Sequence, residues 1–236
     1  MKTARIPIAL EGYPFILFGA FTTLVFGLLV SVFAGIAGLV ATGFVTWFFR
    51  DPDRIVPDTP DAFISPADGK VIIIEEMFDD RFTLKKVQKI SIFMNVFNVH
   101  VNRFPLEGTV QSITLKPGKF YSADSERSAL HNEFCAMTVT TENNLTYGVV
   151  QVAGLIARRI VCWAEKGDRI RTGSRYGLIR FGSRVDLYLP LNVEVAVSLG
   201  DKVKAGETIL GTLSASEQND GQPDPQPEKP TLNETA

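Results

Sequence analysis

The chain has 236 residues and is poor in the side chains that most often carry chemistry, with two cysteines, two histidines and a formal net charge of only −2. Cys135 and Cys162 stand alone, without metal or redox spacing, so no disulfide framework is expected and the cysteine usage suits a cytoplasmic body. His100 and His131 cannot furnish a histidine-rich centre, and no metal is expected. The nearly balanced charge excludes a disordered polyelectrolyte and a basic nucleic-acid binder, so no nucleic-acid partner is expected. Charge is missing altogether from Gly12 to Phe49, a stretch dominated by Phe, Leu, Val, Ala and Gly.

That uncharged run exceeds the about 20 residues one upright helix needs to cross a bilayer. It fits two short helices turning near Ala34-Gly35-Ile36-Ala37-Gly38. Lys2 and Arg5 precede it and Arg50 and Arg54 follow, and positive flanks favour the cytoplasmic side. The reading is a hairpin that anchors the body to the cytoplasmic face of the cell membrane. A cleaved signal peptide fits less well, because the apolar run outlasts the usual core and no small-residue cleavage site follows. A single tilted helix, which would put the body on the opposite side, stays open.

From about Ser65 to Leu213 the chain consists of short β-branched runs bounded by Gly, Pro, Asp and Asn, at 71–74, 90–93, 109–113, 137–139, 147–152, 184–189 and 193–197. The expected fold is mainly β, an antiparallel sandwich or barrel-like domain. The similar phrases Ala67-Asp68-Gly69-Lys70-Val71 and Leu199-Gly200-Asp201-Lys202-Val203 suggest strands that meet. After Leu213 almost nothing apolar remains and Pro, Asp, Gln and Glu dominate, which predicts a disordered acidic tail. The organisation is thus 1–50 anchoring segment, 51–213 body and 214–236 tail.

One short sequence within the body suggests chemistry. In Arg180-Phe181-Gly182-Ser183-Arg184 a Gly-Ser bond precedes an alternating strand, and glycine leaves its carbonyl unshielded beside the serine hydroxyl. Attack by Ser183 on Gly182 turns the amide into an ester. Elimination then leaves dehydroalanine, and hydrolysis gives a pyruvoyl group and ammonia. Gly-Ser alone is a common turn. The same triplet occurs nine residues earlier as Gly173-Ser174-Arg175, but Tyr176-Gly177-Leu178 lacks the alternation of Val185 to Leu189. A base poised near neutrality is needed, which restricts the choice to His100 and His131. His131 sits in a polar entry to a strand and reads as solvated or structural, whereas the residues around His100 fit a base and a packed strand histidine equally well. Asp68 precedes a glycine and would serve a turn, or orient and charge-stabilise His100 as the acid of a triad does.

Phe48-Phe49-Arg50-Asp51-Pro52, Ser65-Pro66-Ala67-Asp68-Gly69, Asn98-Val99-His100-Val101-Asn102-Arg103-Phe104-Pro105, Lys116-Pro117-Gly118 and Asn132-Glu133, followed by Phe181-Gly182-Ser183, together resemble the phosphatidylserine decarboxylases in their short form over roughly residues 48–213. The resemblance implies decarboxylation of phosphatidylserine to phosphatidylethanolamine through a Schiff base with a pyruvoyl group made from Ser183, and it selects Ser183 over Ser174. It implies that Asp68 and His100 assist self-cleavage between Gly182 and Ser183. The products would be a β chain (1–182) and an α chain (183–236), held as a heterodimer by the shared sheet, with further self-association left open. Where longer relatives carry a second histidine this chain has Arg103, so His100 would serve two roles or share one with another group. Lys119, Arg127, Arg158 and Arg159 could pair with a lipid phosphate. The competing reading is a membrane-tethered biotinyl- or lipoyl-like binding module, suggested by Gly200-Asp201-Lys202-Val203-Lys204-Ala205-Gly206-Glu207, although no lysine has the setting of a biotin carrier.

Overall fold

The computed structural model describes residues 6–118, 132–154, 159–180 and 183–214. Two helices come first, α1 (Tyr13–Leu29) and α2 (Val32–Phe48), joined at Val30 and Ser31. The turn therefore lies ahead of the Ala34–Gly38 stretch expected from its glycines. Ser31 explains the shift, since its Oγ caps α2 by accepting from the Ala34 N–H at 3.2 Å. Gly35 and Gly38 are instead packing residues. A Cβ on Gly35 would lie 2.8 Å from the Gly27 Cα, and one on Gly38 would lie 2.8 Å from the Thr23 hydroxyl. Such small residues let apolar helices approach closely, and the Thr23 and Thr42 hydroxyls join across the seam at 3.0 Å. Leu10–Leu29, 20 residues of mean hydropathy 1.7 and almost none of it buried, is long and apolar enough to cross a membrane, and α2 is a shorter apolar helix.

Fourteen strands follow among the described residues: β1 (Ala62–Ile64), β2 (Gly69–Asp79), β3 (Lys85–Met94), β4 (Val101–Arg103), β5 (Gly108–Lys116), β6 (Phe134–Thr140), β7 (Thr146–Ala153), β8 (Ile160–Cys162), β9 (Arg169–Ile170), β10 (Arg175–Ile179), β11 (Ser183–Pro190), β12 (Val193–Val195), β13 (Lys202–Val203) and β14 (Ile209–Leu213). Eight form one sheet in the order β13-β2-β3-β11-β7-β6-β5-β9, flanked by the smaller sheets β1-β14-β12 and β4-β10-β8. Every described pair is antiparallel. This is the mainly β architecture the alternating runs predict. The two similar phrases do meet, since Lys202 and Val203 pair with Lys70 and Gly69.

The strand following Ser183 occupies an interior position of the large sheet, between β3 and β7. Val185, Leu187 and Leu189 enter the main core with Ile90, Ile92, Met137 and Val149. Each such side chain contributes about 1.5–3 kcal/mol of burial. The alternate residues are also buried. Arg184 and Asp186 form an ion pair at 2.7 Å, and Tyr188 packs in a second cluster with Val87, Phe134 and Val150, under the Phe82 ring. The strand is thus covered on both faces although only one face is apolar.

One correction concerns the lesser elements. Arg175–Ile179 is a strand, so the missing alternation after Ser174 does not separate the two Gly-Ser triplets. Gly177 permits this strand, because a Cβ there would sit 2.2 Å from the Val161 carbonyl oxygen of the neighbouring strand. Residues 215–236, and with them nearly all of the expected tail, lie outside the described residues, as do His131, Gly182, Lys119, Arg127 and Arg158.

Candidate active site

Two chain crossings build one corner of the molecule. The chain leaves β3 at Met94, turns through Asn95 to Asn98 and enters β4 in the small sheet; on its return it leaves β10 at Ile179 and enters β11 at Ser183. Because β4 pairs with β10 and β3 pairs with β11, the strand ends that the two crossings join lie together. Ser183 lies opposite Met94 on one side and Ala153 on the other, and the Ile179 N–H donates to the His100 carbonyl at 3.3 Å. Residues 83 positions apart in sequence, His100 and Ser183, thereby flank the same corner.

Ser183 is fully buried, and its hydroxyl lies 3.5 Å from the Met94 thioether, a weak acceptor. Ser174 is different: in a turn its hydroxyl donates to the Arg171 carbonyl at 2.6 Å, and Gly173 holds a positive φ of 76°. Burial and hydrogen bonding distinguish the two serines where strand alternation does not.

His100 is 2% exposed and lies against the Phe48 ring, with centroids 4.3 Å apart. Its Nδ1 is 3.0 Å from the Asn98 carbonyl, which can only accept, so Nδ1 carries the proton. Nε2 is left with a free lone pair and no hydrogen-bond partner among the described residues. Burial lowers the pKa of the ring to about 4, with the nearby Arg50 adding to the effect and the Asn98 bond opposing it. The imidazole is therefore neutral at ordinary pH and able to accept a proton.

Asp68 does not take the expected place behind His100. Both its carboxylate oxygens accept from Arg54 Nη2, at 3.0 and 2.8 Å, and Oδ1 also accepts from the Ala205 N–H at 2.8 Å. A guanidinium with its side chain only 8% exposed claims the carboxylate ahead of a neutral imidazole, because the buried charge needs a counterion. Asp68 instead ties its own turn to Arg54 and to the Ala205 backbone. There the Pro66 carbonyl accepts from the Arg103 N–H at 3.0 Å and lies 3.4 Å from Asn102 Nδ2.

Sequence reasoning assigned no role to Asn102 or Gln151, yet both sit buried behind Ser183. The Asn102 amide nitrogen is 3.7 Å from the Met94 sulfur, and its oxygen accepts from Gln151 Nε2 at 2.9 Å. Asn132 Nδ2 donates to the Ala153 carbonyl at 2.7 Å, and the Ala153 N–H to the Glu133 carbonyl at 2.9 Å, bracing the residue opposite Ser183. Arg103, in place of a second histidine, donates to Asp51, to the Pro52 carbonyl and to the Gly173 carbonyl. It ties the Arg50-Asp51-Pro52 segment to the sheet and offers no base. Of the motifs noted in the sequence, Lys116-Pro117-Gly118 stands apart, at the end of β5.

Comparison with known proteins identifies the family. The phosphatidylserine decarboxylase family model matches residues 41–211. The chain is 56% identical over 213 residues to a phosphatidylserine decarboxylase proenzyme of Desulfotalea psychrophila, covering 90% of this chain and all of that one. Proenzymes of the same name from Geotalea uraniireducens and Oleidesulfovibrio alaskensis are 50% and 48% identical, with 90% and 89% of this chain and 100% and 96% of theirs aligned. The chain therefore belongs to the phosphatidylserine decarboxylase family of enzymes.

Proposed function

We propose that this protein converts phosphatidylserine to phosphatidylethanolamine with a pyruvoyl group that it makes from Ser183. The observation that carries the reading is that, among the described residues, Nε2 of a neutral His100 has no partner on the corner where the buried Ser183 hydroxyl has only a thioether neighbour. His100 Nε2 takes the hydroxyl proton as Ser183 Oγ attacks the Gly182 carbonyl carbon, and the amide becomes an ester. Loss of the Ser183 Cα proton with departure of Oγ releases Gly182 as a carboxylate. Water then replaces the amino nitrogen of residue 183, which leaves as ammonia.

The residues around position 183 fit the resulting group. Pairing with β3 and β7 holds the backbone on both sides after the bond to Gly182 has broken, and the Met94 neighbour is compatible with a methyl ketone. When formed, the pyruvoyl group supplies an electrophilic carbonyl for the substrate amine and a sink for the electrons freed as carbon dioxide leaves. His100 Nε2 is then placed to return a proton to the substrate Cα. Asp68 enters as a positioning residue, through Arg54 and the turn that contacts Asn102. The uncharged hairpin would hold the body at the cytoplasmic membrane surface, where the lipid headgroup lies, with Lys119, Arg127, Arg158 and Arg159 as candidate phosphate partners.

Intact mass under denaturing conditions tests the reading. The wild type should give two fragments, the smaller starting at position 183 and lighter by one ammonia than a serine-started peptide, and it should release carbon dioxide from phosphatidylserine. Ser183→Ala should stay one 26.0 kDa chain, while Ser174→Ala should process normally. An unbroken but active wild type would overturn the proposal.

A further inference from the structure

The turn Asn95–Asn98 is rigidly built yet presents a large apolar side chain to the outside. Phe97 is 63% exposed. Its N–H donates to Asn95 Oδ1 at 2.9 Å, and its carbonyl accepts from Arg50 Nη2 at 2.8 Å. Asn98 closes the turn, its Oδ1 accepting from the Asn95 N–H and its own N–H donating to the Asn95 carbonyl. Both backbone polar groups of Phe97 are thus satisfied within the protein, so the residue can enter an apolar phase without stranding a donor or acceptor. Beside it, Trp47 in the last turn of α2 is 42% exposed, 6.2 Å from the Phe97 ring, and the Arg50 guanidinium lies 3.8 Å over the Trp47 ring. A tryptophan with an arginine at the end of an apolar helix marks headgroup depth.

We propose that Phe97 is a second membrane contact, inserted at the level of Trp47, and that it seats the catalytic corner on the bilayer. The proposal rests on the hairpin's being the membrane anchor and adds a contact from the β body itself. It also supplies a reason for the position of His100. The Asn98 carbonyl that holds His100 Nδ1 belongs to the residue after Phe97, so the Cα atoms that carry the inserted ring and the base are at most about 11 Å apart. A phosphatidylserine headgroup could then reach the corner without its acyl chains leaving the bilayer.

The test uses full-length enzyme with mixed phosphatidylserine/phosphatidylcholine vesicles and, separately, a short-chain phosphatidylserine kept below its micelle concentration. Phe97→Ala should self-cleave normally and keep its kcat/KM on the soluble lipid, but lose about tenfold on vesicles, as withdrawal of one aromatic anchor predicts. Phe97→Leu should retain most of the vesicle rate. In a variant carrying Phe97→Trp with Trp47→Phe and Trp163→Phe, brominated lipids should quench the sole tryptophan. Wild-type activity of Phe97→Ala on both substrates, equal loss on both, or an unquenched tryptophan would each overturn the proposal. If the wild type itself fails to float with vesicles, the anchor reading fails, a result distinct from wild-type flotation with an inert Phe97.

Discussion

His100 should titrate far below an ordinary histidine. Burial disfavours its charged form, Arg50 adds to the cost, and the single hydrogen bond from Nδ1 to a carbonyl does not compensate, so the pKa falls from 6.5 to about 4. At about 1.4 kcal/mol per pH unit this corresponds to about 3 kcal/mol. Because the folded chain resists protonation, the unfolded chain binds the extra proton first. The contribution is whole above pH 6.5, is lost as the pH falls toward 4, and levels off below that. The Ser183→Ala chain, which should stay in one piece, is the appropriate host. With only two histidines, its ring signals in a detergent-solubilised sample are two, and His131→Gln assigns them. Comparing Ser183→Ala with Ser183→Ala/His100→Gln between pH 7 and 4 isolates the stability effect from that of the carboxylates. The Tm gap should change by roughly 6–12 °C across that range, in favour of the non-titrating variant at low pH. Self-cleavage of the wild type should correspondingly keep its rate down to about pH 5. A His100 that titrates at or above 6.5, with a Tm gap independent of pH, would refute the reasoning and would point to a carboxylate behind the ring, the arrangement that Asp68 was first expected to supply.

Asp68→Ala should destabilise the protein by about 3 kcal/mol, because Arg54 would remain buried without its main counterion; adding Arg54→Met should recover part of that loss in denaturant titrations, whereas additive losses would show the pair to be uncoupled. Gly35→Ile should force the helices apart at the Gly27 contact, cost roughly 1–3 kcal/mol, and increase proteolytic clipping at Val30 and Ser31 in detergent; unchanged resistance would show that the seam is not close-packed.

How legible the chain was depended on the range of each interaction. The uncharged run from Gly12 to Phe49, the strands rich in Val and Ile, and the serine at the head of an alternating strand are local patterns, and they gave the hairpin, the mainly β class and Ser183 as a candidate. Short strands such as β4, β8 and β10 are not legible because three to five residues carry no periodicity; pairing alone makes them strands. The hairpin turn was misplaced because glycine signals both a turn and a close helix contact, and only the facing residues Gly27 and Thr23 decide between them. Asp68 was drawn toward His100 by chemical type, but a carboxylate pairs with whichever cation is buried beside it, and Arg54 lies 14 positions away in sequence.

The sequence by itself determined which residues were capable of the chemistry: two Gly-Ser bonds, two histidines, and an apolar segment with no charge to keep it in water. The tertiary structure decided which of them meet. It set β4 against β10 and β3 against β11 so that His100 and Ser183 share a corner, fixed the proton on Nδ1 through the Asn98 carbonyl, and gave Asp68 to Arg54. Those outcomes depend on strand register and on competition for buried partners, and both are properties of distant segments brought together.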